Sequence, residues 1–269
     1  MTSHRPRRRF GQHFLQDPGV IDAIIREIAP TRDDLLVEIG PGHGAITKPL
    51  ATLCGSLHAI ELDRDLVAGL RRQFDNHSGV TIHAADALQF DYGALGESLR
   101  IVGNLPYNIS TPLLFYLLNY RQHIRDMHFM LQKEVVDRMA ATPGGKTYGR
   151  LGIMLGCRFA IDALFEVDRY AFDPPPEVTS AIVRLTPLPA GTYDIDDEKL
   201  LSKLVATAFS QRRKTIRNSL QGVVTESELA EIGIDSSLRA EVIPISLYVA
   251  LANSIARRAN AAPEHGALR

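Results

Sequence analysis

Short apolar runs at regular intervals, each ending on a glycine, an acid or an amide, constrain this chain more than any other feature. Residues 35–39, 57–61, 80–84 and 99–103 are such runs, and 126–131 is a fifth candidate. Helical patterns lie between several of them, at 63–74 and 111–118. Strands that are apolar along their length need cover on both faces, so this rhythm predicts a mostly parallel, doubly wound α/β sheet. Ahead of it, Asp17-Pro18 predicts a helix start, and Val20, Ile21, Ile24, Ile25 and Ile28 follow at helical spacing until Pro30. Residues 178–185, β-branched and alternating, predict a late strand. A proline-glycine stretch at 187–191 predicts a boundary, with an α/β domain over 1–187 and a small helical domain over 188–269. In the second, 198–209, 212–220, 226–232 and 247–259 carry helical patterns.

The chemistry sits at the ends of the apolar runs. Val37-Glu38-Ile39-Gly40-Pro41-Gly42-His43-Gly44 closes the first and opens a helix. Glycines there permit unusual backbone angles and close approach of a ligand, although a tight strand–helix connection alone would also want them. The P-loop's Gly-Lys-Ser/Thr is missing, which argues against a triphosphate cradle. Glu61 ends the second run, 21 positions after Gly40. An acid at that distance accepts the hydroxyls of a ribose. Asp86 follows the third run and suits an adenine amino group. Together these favour an adenosine-containing cofactor without separating a nicotinamide from S-adenosylmethionine.

The fourth run separates them. It leads into Gly103-Asn104-Leu105-Pro106-Tyr107. An aromatic amine attacks poorly because its lone pair is delocalised into the ring. The Asn104 side-chain oxygen and the Leu105 carbonyl can accept its N–H bonds and favour a localised lone pair aimed at a sulfonium methyl. Pro106, with fixed φ and no N–H, stiffens the turn, and Tyr107 offers a ring to stack on the base. Hydride transfer has no use for this group.

With these segments in order, the chain resembles the ribosomal RNA adenine N6-dimethyltransferases. The likeness runs from Arg9-Phe10-Gly11-Gln12-His13-Phe14-Leu15, through Asn104-Leu105-Pro106-Tyr107-Asn108-Ile109-Ser110 and Phe172-Asp173-Pro174-Pro175-Pro176, to Gln211-Arg212-Arg213-Lys214-Thr215-Ile216-Arg217-Asn218-Ser219-Leu220. The resemblance implies a Rossmann-like methyltransferase sheet and S-adenosylmethionine as cofactor. His13 and Leu15 would close over it, and Gly40, Glu61, Asp86 and Asn104 would complete its site; many relatives have Asn where His13 stands here. It also implies that Tyr107 and Phe172 sandwich the target adenine, with catalysis carried by Asn104, Leu105, Pro106, Tyr107 and Phe172. From the residues alone, the Phe172 ring in its stiff proline loop could stack on a base or pack under the sheet. The implied substrate is a pair of adjacent adenosines near the 3′ end of small-subunit ribosomal RNA, met in the 30S particle or its precursor by a monomeric enzyme.

Net charge first argues the other way: 30 Lys and Arg against 31 Asp and Glu give −1. Eight of those cations, however, fall in two acid-free runs: Arg5, Arg7, Arg8 and Arg9, then Arg212, Arg213, Lys214 and Arg217. Two such patches on an acidic body predict contact with RNA phosphates. A hydrophobic fraction of 45% excludes a disordered chain. No uncharged apolar run approaches the roughly 20 residues of a membrane helix. No apolar segment follows the basic residues 1–9, so no signal peptide is expected. The isolated Cys54 and Cys157 fit a cytoplasmic protein without a metal site. Three rivals remain: a large-subunit enzyme of the antibiotic-resistance type, a DNA adenine methyltransferase, and a ribosome-assembly clamp that uses the fold without the reaction.

Overall fold

A computed structural model describes residues 13–261. Its elements in chain order are β1 (Phe14–Leu15), α1 (Pro18–Ile28), β2 (Leu35–Ile39), α2 (Thr47–Leu53), β3 (Ser56–Glu61), α3 (Arg64–Gln73) and β4 (Val80–Ala84). Next come β5 (Leu99–Asn104), α4 (Ser110–Leu117), β6 (Ile124–Gln132), α5 (Lys133–Met139), α6 (Arg150–Gly156), β7 (Phe159–Val167), β8 (Phe172–Asp173) and β9 (Ser180–Pro187). Then α7 (Glu198–Ala208), α8 (Ile216–Ser219), α9 (Glu226–Glu231) and α10 (Ile245–Ala261) follow. The chain forms two compact units: one runs up to Asp137 and resumes over Phe159–Pro187, and the other joins Arg138–Arg158 to the residues from Leu188 onward.

The first unit holds a seven-stranded sheet in the order β4-β3-β2-β5-β6-β9-β7. The five strands from β4 to β6 are parallel, and β9 is antiparallel to both neighbours. The chain winds outward from β2 through β3 to β4, then crosses to β5 on the other side of β2. That reversal leaves a crevice outside the carboxyl ends of β2 and β5. Gly103 lets these two strands close up there, since a Cβ on it would stand 2.5 Å from the Ile39 carbonyl oxygen.

Helix α1 starts where the sequence predicts it, with Asp17 Oδ1 accepting from the Val20 amide at 3.0 Å. Its last carbonyls are taken by Arg100 on β5, which reaches Ile28 O at 2.5 Å and Ala29 O at 3.4 Å. The same buried guanidinium pairs with Asp34 at 2.7 Å and Asp126 at 3.1 Å, fastening the helix to the amino ends of the strands. A two-residue ladder between β1 and β8 pairs Leu15 with Phe172, and both enter a hydrophobic cluster with Ile24, Ile28, Val102 and Ile182.

Strand β7 carries no sequence signal because its apolar residues fall out of step. A register shift between Ala163 and Phe165 breaks the alternation. The antiparallel pair β7–β9 thus extends a sheet that the sequence predicts only as mostly parallel.

In the second unit, Leu151, Gly152, Ile153, Met154 and Leu155 of α6 are all buried. A helix apolar on every face needs cover all round, which explains why Arg138–Arg158 groups here although the sequence assigns it to the first domain. Two buried tyrosines fasten the unit further: Tyr148 Oη donates to Ile243 O at 3.1 Å and Tyr248 Oη to Ala240 O at 2.8 Å. Of the predicted helix at 212–220 only α8 forms, because Thr215 bridges to Arg239 and the Ile216 amide donates to Leu238 O at 2.6 Å. No helix among the described residues is long and apolar enough to cross a membrane.

Candidate active site

The crevice at the sheet reversal is a cavity of about 340 Å³. It gathers His13, Phe14 and Leu15, the glycine turn after β2, Glu61 at the end of β3, Asp86 after β4, and Asn104 through Tyr107 after β5. Parallel strands end at one edge of the sheet, so residues far apart in sequence meet there.

Gly40 and Gly42 have φ of +68° and +58°, the left-handed region that favours glycine. A Cβ on Gly42 would meet the Phe14 ring at 3.0 Å, so the β1 segment lies directly on the glycine turn. The turn is pinned from β3: the Gly40 amide donates to Ile60 O at 3.0 Å and the Gly42 amide to Glu61 Oε2 at 3.3 Å. The other Glu61 oxygen accepts from the Asp63 amide at 2.8 Å. Burial nevertheless raises the Glu61 carboxyl above its ordinary range. Asp86 is half-buried and oriented by the Leu88 amide at 2.9 Å and the Gln89 side chain at 3.1 Å.

Glu38 is a cavity residue that sequence reasoning missed. It is 2% exposed, and its Oε2 has no hydrogen-bond partner. Burial first, and the neighbouring Glu61 charge second, push its carboxyl up to about 7. The available signal was an acid inside the apolar run Leu35–Ile39, where a buried parallel strand has no structural use for one.

Asn104 Nδ2 donates to the His13 carbonyl at 3.0 Å, which fixes the amide's orientation and leaves Oδ1 as its acceptor. Leu105 is buried, with its amide donating to Met130 O at 3.2 Å. The Pro106 carbonyl accepts from Ile109, closing the turn. The half-buried Tyr107 is braced through its hydroxyl by Ser180 Oγ at 2.9 Å. Its ring stacks against His13 at 5.9 Å between centroids. The imidazole in turn donates from Nδ1 to Pro174 O at 2.7 Å. His13 therefore meets the Asn-Leu-Pro-Tyr turn with both its carbonyl and its ring.

Phe172 does not line the cavity. It is 4% exposed and packs beside Leu15 in the hydrophobic cluster, the second of the two positions its sequence left open. The cause is the β1–β8 pairing, which turns the ring toward α1 and the sheet.

Of the basic runs, Arg7, Arg8 and Arg9 lie outside the described residues. Arg213 and Lys214 are exposed. Arg217 pairs with Glu226 at 2.5 Å, and Arg212 donates to the carbonyls of Lys146 and Tyr148 at 2.8 and 3.3 Å.

A doubly wound sheet whose reversal holds a glycine turn, three carboxylates and an Asn-Leu-Pro-Tyr turn defines a Rossmann-like methyltransferase. Solved structures share this fold: a dimethyladenosine transferase from Plasmodium falciparum has a TM-score of 0.81 at 23% identity, covering 92% of this chain and 98% of that one. The 23S rRNA methyltransferase ErmE has a TM-score of 0.73 at 23% identity, covering 90% and 99%. The family described as ribosomal RNA adenine dimethylase matches residues 3–257, and the chain belongs to that family of S-adenosylmethionine-dependent enzymes. It is 53% identical to the ribosomal RNA small subunit methyltransferase A of Nitrosospira multiformis, over 93% of this chain and 96% of the relative. The protein of the same name from Thiobacillus denitrificans is also 53% identical, over 95% and 100%.

Proposed function

We propose that this protein dimethylates N6 of two adjacent adenosines near the 3′ end of small-subunit ribosomal RNA, within the small subunit or its precursor in the cytoplasm. The observation that carries the reading is Asn104, an amide whose nitrogen donates to the His13 carbonyl and so fixes where its accepting oxygen lies, beside the Leu105 carbonyl and the Tyr107 ring. The near-full-length likeness to enzymes named for the small subunit favours that substrate over the large-subunit alternative.

The residues fit S-adenosylmethionine. An orphaned, buried Glu38 oxygen at the cavity suits a cationic ligand, and S-adenosylmethionine carries both an ammonium and a sulfonium. Glu38 would hold the ammonium, Glu61 the ribose hydroxyls and Asp86 the adenine amine, with Gly40 giving the main chain close approach and His13 and Leu15 closing the site. When bound, the cofactor supplies an electrophilic methyl group.

The remaining work belongs to the protein. Asn104 Oδ1 and the Leu105 carbonyl accept the N–H bonds of the target amine, which localises the nitrogen lone pair. Pro106 keeps that carbonyl in place, and Tyr107, braced by Ser180, stacks on the extruded base. The alkylated nitrogen loses its proton to water, so catalysis rests on positioning and exclusion of solvent rather than on a general base. Phe172 acts one step back, as the core residue beneath the Leu15 segment. Arg7, Arg8, Arg9, Arg213 and Lys214 meet RNA phosphates, and the enzyme works as a monomer.

The test is transfer of labelled methyl groups from S-adenosylmethionine to purified small subunits that lack the modification, with large subunits as control. Two methyl groups per adenosine on small subunits is the expected result. Label confined to large subunits would overturn the substrate assignment.

A further inference from the structure

In the second unit, three separate stretches of chain converge on one surface. The Arg212 guanidinium crosses from the turn after α7 to the loop before α6, where its Nη2 donates to Lys146 O at 2.8 Å and Tyr148 O at 3.3 Å. The same loop is held from the segment before α10, with the Gly144 amide donating to Glu241 O at 2.7 Å. The Glu241 carboxylate lies 3.8 Å from Arg212 Nη2. These bonds compensate Arg212 twice over, by carbonyls and by a carboxylate. All three contacts are made by Nη2, so one arm of the guanidinium is committed to holding the loop.

The neighbouring cations differ. Lys146, Arg213 and Lys214 are exposed and have no ion-pair partner among the described residues. Arg158, Arg217, Arg257 and Arg258 of the same unit are each paired with an acid. Lys146 stands in Thr142-Pro143-Gly144-Gly145-Lys146, where Gly144 has φ +87° and open space where a Cβ would be. Left to itself, so permissive a loop would sample many conformations. The Arg212 bond to the carbonyl of Lys146 itself fixes the residue that carries the charge. Uncompensated cations held on one surface by hydrogen bonds to the main chain are suited to consecutive phosphates of a nucleic-acid backbone.

We propose that Arg212 is a tether rather than an RNA contact, and that the loop it holds presents Lys146 beside Arg213 and Lys214 as one phosphate-binding surface. This rests on the reading that ribosomal RNA is the substrate, and it adds to that reading a contact residue 66 positions away from the basic run. Arg212 thus acts through Lys146 and is a positioning residue.

The experiment measures binding of the full-length protein to unmodified small subunits over a series of KCl concentrations, for wild type, Lys146→Ala, Arg213→Ala, Arg212→Ala and the double variants. Each loss of a phosphate contact lowers the log–log salt slope by about one. Lys146→Ala and Arg213→Ala are each expected to do so, and their effects to add. Arg212→Ala is expected to weaken binding, and adding Lys146→Ala to it to change little further, because both remove the same contact. Thermal melting of each variant separates loss of contact from loss of fold. Lys146→Ala with wild-type affinity and slope overturns the inference, as does strict additivity of Arg212→Ala with Lys146→Ala. Wild-type protein that shows no salt-dependent binding to small subunits overturns the RNA reading itself, and the inference with it.

Discussion

Replacing Glu38 with Gln tests the cavity's electrostatics because it moves stability and affinity in opposite directions. The carboxyl is 2% exposed, and burial holds it at about 7 against an ordinary 4.5. The folded chain therefore binds a proton at Glu38 more tightly than the unfolded chain does. The stabilisation that protonation brings is complete below pH 4.5 and is lost as pH rises through about 7. Above that, a buried charge whose Oε2 has no hydrogen-bond partner sits in the core at a cost on the order of 3 kcal/mol. Gln has the same shape and no charge, so the ligand-free variant is expected to melt several degrees above wild type at pH 8, the difference closing toward pH 5. With S-adenosylmethionine the order reverses. Loss of a charge-assisted bond to the ligand's ammonium is worth roughly 1.5–3 kcal/mol, a weakening of about 10- to 150-fold. Calorimetric titration and thermal melts from pH 5 to 8.5 read both effects. A variant that melts below wild type at pH 8 and binds S-adenosylmethionine normally would refute the reasoning.

Four further perturbations separate the scaffold from the site. Arg100→Met takes the buried cation from Asp34 and Asp126, leaving Asp34 to Arg125 and the Thr31 amide and Asp126 to His128, and frees the last carbonyls of α1, so urea unfolding should show a loss of about 3 kcal/mol while folded protein keeps its cofactor affinity. Gly42→Ala forces a side chain into φ +58° against Phe14 and should cost about 1–2 kcal/mol together with cofactor affinity. Gly69→Ala in α3, where nothing lies within 4 Å, should stabilise by roughly 0.5–1 kcal/mol and leave binding alone. His58 Nδ1 and His83 Nε2 sit 2.9 Å apart, and burial lowers both imidazoles below 6.5. Their neutral forms stabilise the fold above that value, and the benefit is lost as pH falls through and below it. Melting temperature between pH 7.5 and 5 should therefore drop less steeply for His83→Gln than for wild type.

The strand ends were legible because buried parallel strands write themselves as apolar runs, and the residue after each run is where a doubly wound sheet exposes its chemistry. Gly40, Glu61, Asp86 and Asn104 came from that rule, and all line one cavity. Glu38 was hidden by the same rule, since it lies within a run and not at its end. Phe172 could not be decided locally: its burial depends on pairing with Leu15, 157 residues earlier. The role of Arg212 was equally out of reach, because a run of cations looks alike whether its members face solvent or two carbonyls more than 60 residues away. Strand β7 was lost to a register shift that no alternation pattern records.

The central claim is that the Asn104 amide makes an adenine amine nucleophilic in this cavity. It is tested most directly by Asn104→Ala in single-turnover methyl transfer to unmodified small subunits, with binding of the subunit and of S-adenosylmethionine measured on the same preparation. The account predicts that the rate of transfer falls by at least about a hundredfold, the scale of losing one positioned acceptor at the reacting group, while subunit binding changes by less than a few fold. Turnover undiminished in that variant would contradict it.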